Sequence, residues 1–393
     1  MKDSLSYILN HLGEERSKYF NAVSPPIIQT SNFVFDSFDQ FRNAIANEDR
    51  SHIYTRGNNP TVQILRKKVA ALEKTEDALA FASGSGAIAA AVMTFIRSGD
   101  HVVCVDNPYS WTKTLFNMVL PKFGVSVTYV DGRSLSNIES AIRPQTKILY
   151  LESPNTATFA LQDLNECAKL AKKHEIMTMI DNSYCSPIYQ NPSDYGIDLV
   201  LHSGTKYLNG HSDVVCGFVC GSHAHVKQIF QFATMTMGNI LGPAEAALVL
   251  RGLRTLDLRV HRSHMTTLEV VAYLKSHPAV DSVLYPWDES FAQFELAKQQ
   301  MKGAGGLFSI ILDTDNREKI EQFCEALNTF LFAVSWGGHE SLILPFCSLL
   351  DIPGHPDPEV PVNLIRFYIG LEDADYLIQD LKQAFEATFP SLS

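Results

Sequence analysis

No part of this chain reads as a membrane span. Ala78–Ile96 runs for 19 residues without a charge, but Ser83-Gly84-Ser85-Gly86 interrupts it and alanine is frequent around the break. A strand, a tight loop and a buried helix account for it better. Basic residues are in deficit, with 32 Lys and Arg against 43 Asp and Glu, for a formal net charge of -11. That argues against a nucleic-acid partner, because there is no cationic surplus to displace counterions. A metal site is not indicated either. The seven cysteines are scattered, and Cys216 and Cys220 have no second pair at zinc spacing. They predict buried free thiols in a reducing compartment. His261 and His264 could share a helix face, but Arg259 and Arg262 accompany them, so that face is expected at the surface or an interface. Met1–Phe20 is polar and charged, unlike a secretory leader. The expected setting is cytoplasmic.

What the chain does contain is length and rhythm. Its 393 residues exceed one hydrophobic core and predict two domains. Residues 1–59 lack a sustained period and contain Pro25-Pro26, which suggests an extended arm. Strand-like runs then end near Ala82, Val105, Val130, Leu151, Ile180 and His202, with helix-length segments such as Tyr109–Lys122 and Leu161–His174 between them. That alternation predicts an α/β domain over 60–245, a mostly parallel sheet with helices on both faces. A long helical stretch from Pro243 towards Leu274 leads into a smaller α+β domain over 246–393. Strands are expected there at Leu307–Leu312 and Leu364–Ile369, with helices near Glu318–Leu327 and Asp373–Phe385. Asp351–Pro361, with four prolines, reads as a loop.

Ligands of such sheets bind beyond the C-terminal strand ends, where several polar groups gather. The run Asp198–His202 ends in Ser203-Gly204-Thr205-Lys206, and Ile176–Ile180 ends in Asp181. An amine and a carboxylate on neighbouring strand ends suit pyridoxal phosphate, which needs the one for its aldehyde and the other for its ring nitrogen. Taken singly, Asp181 could cap a turn and Lys206 could be a surface charge. Ser83-Gly84-Ser85-Gly86-Ala87 opens a helix and could hold a phosphate. It has a rival reading, because Gly84-x-Gly86-x-x-Ala89 followed by Asp106 matches a dinucleotide fingerprint and hence a nicotinamide oxidoreductase. That rival leaves Asp181 and Lys206 unexplained. Tyr109 could stack on a flat ring or pack in a core. Arg366, inside an apolar strand, could clamp a carboxylate or make a structural ion pair.

Taken together, these residues resemble the Cys/Met-metabolism family of pyridoxal-phosphate enzymes, from about His52 to Phe385. The most specific match is Asp198-Leu199-Val200-Leu201-His202-Ser203-Gly204-Thr205-Lys206-Tyr207-Leu208-Asn209-Gly210-His211-Ser212-Asp213. Glu152-Ser153-Pro154-Asn155 and Arg251-Gly252-Leu253-Arg254-Thr255-Leu256 also match. The resemblance implies the fold of type I pyridoxal-phosphate enzymes. Lys206 would carry the cofactor, pyridoxal 5'-phosphate, and Asp181 would face its ring nitrogen. Gly84, Ser85, Ser203 and Thr205 would hold its phosphate, and Tyr109 would stack on the ring and share the catalysis. Arg366, Ser335, Asn155 and Trp336 would bind a small amino-acid substrate. Tyr54 and Arg56 would reach the phosphate of a neighbouring subunit, implying a homo-oligomer, a homotetramer of dimers with shared sites. Within the family, Ser335-Trp336-Gly337-Gly338 looks like the cystathionine β-lyases, whose γ-acting sisters usually carry leucine in place of Trp336 and glutamate in place of Val334. The implied reaction is β-elimination of cystathionine to homocysteine, pyruvate and ammonia, a step of transsulfuration and methionine biosynthesis. The alternative is a γ-acting member: cystathionine γ-synthase, cystathionine γ-lyase or methionine γ-lyase.

Overall fold

A computed structural model describes residues 4–353 and 359–390. Seven strands form the larger sheet: β1 (Asp77–Phe81), β2 (His101–Val105), β3 (Ser126–Val130), β4 (Thr146–Glu152), β5 (Met177–Asp181), β6 (Leu199–Ser203) and β7 (Gly217–Gly221). Their order is β1-β7-β6-β5-β4-β2-β3. Strands β6, β5, β4, β2 and β3 are parallel neighbours. Their residues are apolar on both faces because helices cover both sides, and Val102, Val103, Ile148, Leu149, Val200 and Leu201 are almost fully buried. The strands end close to where the sequence predicts, so Asp181 and Ser203 close neighbouring strands, with Asp181 opposite Leu201 and Ser203 beside Ser183. The unforeseen element is the direction of β7. It runs antiparallel between β1 and β6.

The smaller sheet has five strands: β8 (Val280–Leu284), β9 (Leu307–Leu312), β10 (Leu331–Phe332), β11 (Leu342–Pro345) and β12 (Leu364–Tyr368). Their order is β10-β11-β12-β9-β8. Only β9 and β12 were expected, since the others are short and partly exposed. The segment 1–59 is not wholly extended, because helices form at Leu5–Asn10 and Phe38–Ala46. The helix expected over Tyr109–Lys122 is divided into α, π and 3-10 pieces. The loop expected at Asp351–Pro361 lies partly outside the described residues. Among those described, no helix is long and apolar enough to cross a membrane, and no group of His, Cys, Asp and Glu could hold a metal ion.

The long helical stretch after Pro243 is two helices, Pro243–Leu253 and Leu256–Ser276. The break explains why Arg259, expected on a face at the surface or an interface, is buried within the chain. It donates to the carbonyl of Gly252 (2.8 Å) at the end of the first helix, which also accepts from the Thr255 N–H (3.2 Å), and to that of Tyr207 (3.0 Å). Gly252 lies so close to Asn209 that an added Cβ would fall 2.1 Å from its carbonyl oxygen. His264 is also buried rather than at the surface. Its ring meets the Tyr285 hydroxyl at 3.0 Å, and burial lowers its pKa to about 4, which keeps it neutral. Arg259 therefore ties the second helix to the turn that carries Lys206. Replacing it with leucine leaves the buried Tyr207 carbonyl without a donor and should cost about 1–3 kcal/mol in urea unfolding; a loss below about 0.5 kcal/mol would contradict this role.

Candidate active site

Lys206 sits in the turn that follows β6. Its backbone N–H reaches the Ser203 carbonyl (3.2 Å), and its own carbonyl accepts from Gly210 (2.8 Å). The side chain points to the smaller sheet, where Nζ donates to Ser335 Oγ at 2.7 Å. Ser335 arrives there because the following loop presses on the lysine's backbone. Gly337 has φ +86, and a Cβ on it would fall 2.8 Å from the carbonyl carbon of Lys206. The loop is pinned further by Tyr368, whose hydroxyl donates to the Gly338 carbonyl (2.8 Å), and by Ser212, which donates to Glu340 (2.6 Å). Trp336 is buried beside Tyr184 and Tyr207, with the Lys206 amine 5.5 Å from the centre of its ring. Burial and the nearby Arg366 charge lower the Lys206 pKa to about 8, against an opposing pull from Asp181. Such an amine is partly neutral near pH 7–8 and able to act as a nucleophile or base.

Asp181 is buried at the end of β5, with Oδ1 accepting from the Ser183 N–H at 2.9 Å. Burial raises its pKa, while Ser183, His202 and Lys206 oppose the rise. A carboxylate in this position suits a protonated ring nitrogen. Beyond the neighbouring strand ends, the helix Gly84–Phe95 begins at Ser83, which caps it through the Gly86 N–H (3.0 Å). Gly84 packs directly on Ser203, where a Cβ would fall 2.9 Å from the serine's Cβ. Gly84, Ser85 and Ser203 thus form one cluster at a helix N-terminus, with the donors a phosphate requires. Thr205 is placed differently, as its hydroxyl exchanges hydrogen bonds with the backbone of Cys216 (3.2 and 3.0 Å). Tyr109 precedes a short helix, and its N–H donates to Glu152 Oε2 at 2.7 Å. Burial raises the pKa of its phenol, which a hydrogen bond to Ser85 partly offsets. Amine, carboxylate, phosphate donors and aromatic ring are all present, and they fit pyridoxal phosphate.

Arg366 lies on β12, only 6% exposed. Its partners are neutral: the carbonyl and hydroxyl of Thr156 (3.3 and 3.1 Å) and the carbonyl of Val334 (2.8 Å). Among the described residues it has no carboxylate within ion-pair distance, so the structural ion pair considered above does not form. Burial lowers its pKa to about 10 and the charge of Glu152 opposes this. A buried cation held by neutral groups is open to an incoming carboxylate. Asn155 is buried just before Thr156 and folds that loop, its Oδ1 accepting from the N–H and hydroxyl of Thr158 (both 3.1 Å). Tyr54 and Arg56 are exposed, with the guanidinium 5.4 Å from the centre of the tyrosine ring. No hydrogen bond or ion pair among the described residues joins either to the Lys206 site. Sequence reasoning gave Glu152 no role, although it ends β4 beside Asp181. The signal available was a lone acid closing an apolar strand.

A profile of the family described as Cys/Met metabolism PLP-dependent enzyme matches residues 7–386. The chain is 39% identical to the L-methionine gamma-lyase of Treponema denticola, over 96% of this chain and 95% of that protein. It is 37% identical to the cystathionine gamma-lyase of Bacillus subtilis, over 96% of each. It is 35% identical to the cystathionine beta-lyase of Lactococcus lactis subsp. cremoris, over 96% and 97%. The crystal structure of metB from Corynebacterium glutamicum superposes with a TM-score of 0.91 at 32% identity, covering 98% of both chains. For the protein freed of cofactor, the lowered pKa of Lys206 makes a direct prediction. Its labelling by a small amine-directed reagent, followed by peptide mass analysis, should rise with a midpoint near pH 8; a midpoint near 10.5 would contradict the environment described.

Proposed function

The chain belongs to the Cys/Met metabolism PLP-dependent enzymes, its cofactor is pyridoxal 5'-phosphate, and we propose that it is a carbon–sulfur lyase working by β-elimination. The observation that carries this reading is the Lys206 amine, kept partly neutral and aimed by Ser335 between Asp181 and Arg366. The nicotinamide reading is set aside, because the family matched over residues 7–386 is one of pyridoxal-phosphate enzymes.

When bound, the cofactor supplies an electron sink for charge built at the substrate's α-carbon. Arg366 would clamp the substrate carboxylate and so fix how the substrate is turned in the site. Asp181 would hold the ring nitrogen and favour its protonated form. Gly84, Ser85 and Ser203 take the phosphate, with Thr205 holding the adjoining β7 backbone in place. Lys206 removes the α-proton, and Ser335 holds its Nζ in line to do so. Tyr109 retains its phenolic proton at neutral pH, since burial raises its pKa, and can give it to the departing thiolate. Trp336 walls the lysine from solvent, and Asn155 shapes the loop that carries Thr156 to Arg366. Tyr54 and Arg56, exposed here, complete a neighbour's site in a dimer that pairs into a homotetramer. The free, buried cysteines among the described residues fit a reducing cytoplasm.

The choice of β-elimination rests on Trp336 and on Val334 in the place where γ-acting relatives usually have glutamate. A second reading, γ-elimination, is favoured by the 39% and 37% identities to methionine and cystathionine gamma-lyases. It requires a further proton removal at the β-carbon, within reach of the same lysine. The holoenzyme given cystathionine should yield chiefly pyruvate, and given methionine little 2-oxobutyrate. Predominant 2-oxobutyrate from either substrate would replace the β-lyase reading with the γ-lyase one.

A further inference from the structure

Glu152 takes no part in the chemistry above, yet it stands inside the site. It is the last residue of β4 and lies in register with Asp181 on β5. Parallel neighbours place their side chains on the same face about 5 Å apart, so two carboxyl groups sit side by side, 5% and 7% exposed. Glu152 Oε2 accepts the Tyr109 N–H at 2.7 Å. The titratable groups around it come from every packed element: Asp181 from β5, Arg366 from β12, Tyr109 from its helix start, Tyr150 from β4 itself and Cys104 from β2. Lys206 lies beyond Asp181 and feels both it and Arg366. Tyr150 and Cys104 are fully buried and hold their protons. The charges that matter are therefore Asp181, Arg366 and Lys206.

Two carboxyls this close and this dry do not both ionise readily, so one keeps a proton at neutral pH. Asp181 has Ser183, His202 and Lys206 to favour its anion. Glu152, pushed to about 8 by burial and by Asp181, is the one that retains it. Its charge state then bears on Arg366, whose bonded partners are all neutral. As an anion, Glu152 offsets the Arg366 charge and repels an arriving carboxylate. As a neutral acid, it leaves the cation free. We propose that Glu152 is a positioning residue that admits the substrate carboxylate to Arg366 while it holds a proton and opposes it once ionised. This rests on the reading of Arg366 as the carboxylate clamp.

Linkage fixes the sign. If the carboxylate binds best beside protonated Glu152, binding weakens as pH rises through 8, and proton uptake on binding grows with the ionised fraction of Glu152. Propionate serves as the probe, because it has a carboxylate and no amine of its own to titrate. For the native holoenzyme, its dissociation constant should rise about tenfold from pH 7 to pH 9. Glu152→Gln should flatten that rise to less than about twofold, and Glu152→Asp should restore it. A measurement on the native protein alone gives the same answer should the glutamine variant fail to fold. Calorimetry in buffers of different ionisation enthalpy should find about half a proton taken up per propionate at pH 8 and almost none at pH 6.5. Propionate that binds with no pH dependence, or with no proton uptake at pH 8, overturns the role of Glu152 and leaves the clamp standing. An unchanged tenfold rise in Glu152→Gln does the same. Propionate that fails to bind native enzyme removes the clamp itself, and this inference with it.

Discussion

Four ionisable side chains, Lys206, Arg366, Asp181 and Glu152, are held largely out of water where the two sheets meet. Removing a charge from water costs several kcal/mol unless nearby groups replace its hydration. Each of the four has such a group, and for all but Asp181 it comes from another part of the chain. Ser335 accepts from Lys206, the Ser183 backbone donates to Asp181, the Tyr109 backbone donates to Glu152, and Thr156 and Val334 accept from Arg366. The site is thus a set of mutual obligations between loops. Gly337 pressed on Lys206, Tyr368 on Gly338 and Arg259 on Tyr207 hold those loops to the required spacing.

The strand ends were legible because buried parallel strands are apolar on both faces and stop abruptly. Asp181 and Ser203 close two such runs, and the strands that bear them are neighbours in space as well as in sequence. The antiparallel course of β7 was not legible, since an apolar strand carries no mark of its direction. Short strands such as β10, with both residues exposed, give no periodic signal either. Arg259 and His264 looked like surface or interface residues because their partners, a helix-end carbonyl and the Tyr285 hydroxyl, belong to tertiary structure. Glu152 escaped notice for the same reason. Its significance comes from its register with Asp181, which sequence spacing does not encode. Thr205 shows the converse, a hydroxyl beside the lysine whose bonds go to a neighbouring strand.

The bond that breaks depends on fewer residues than the fold does. Identities of 39%, 37% and 35% to gamma- and beta-acting relatives span a narrow range, so overall likeness discriminates weakly. The machinery for removing an α-proton serves both eliminations. On the reading proposed above, separation lies beyond the β-carbon, on the wall near Val334 and Trp336. Trp336 is locked between Tyr184 and Tyr207, which makes that wall rigid, while Val334 is exposed and lends only its carbonyl to Arg366.

All of this depends on Lys206 being the amine that carries the cofactor. Borohydride treatment of the holoenzyme, followed by peptide mass mapping, fixes the cofactor irreversibly to whichever amine holds it. The account predicts the label on the peptide containing Lys206 and on no other. A label on a different lysine, with Lys206 unmodified, would contradict it.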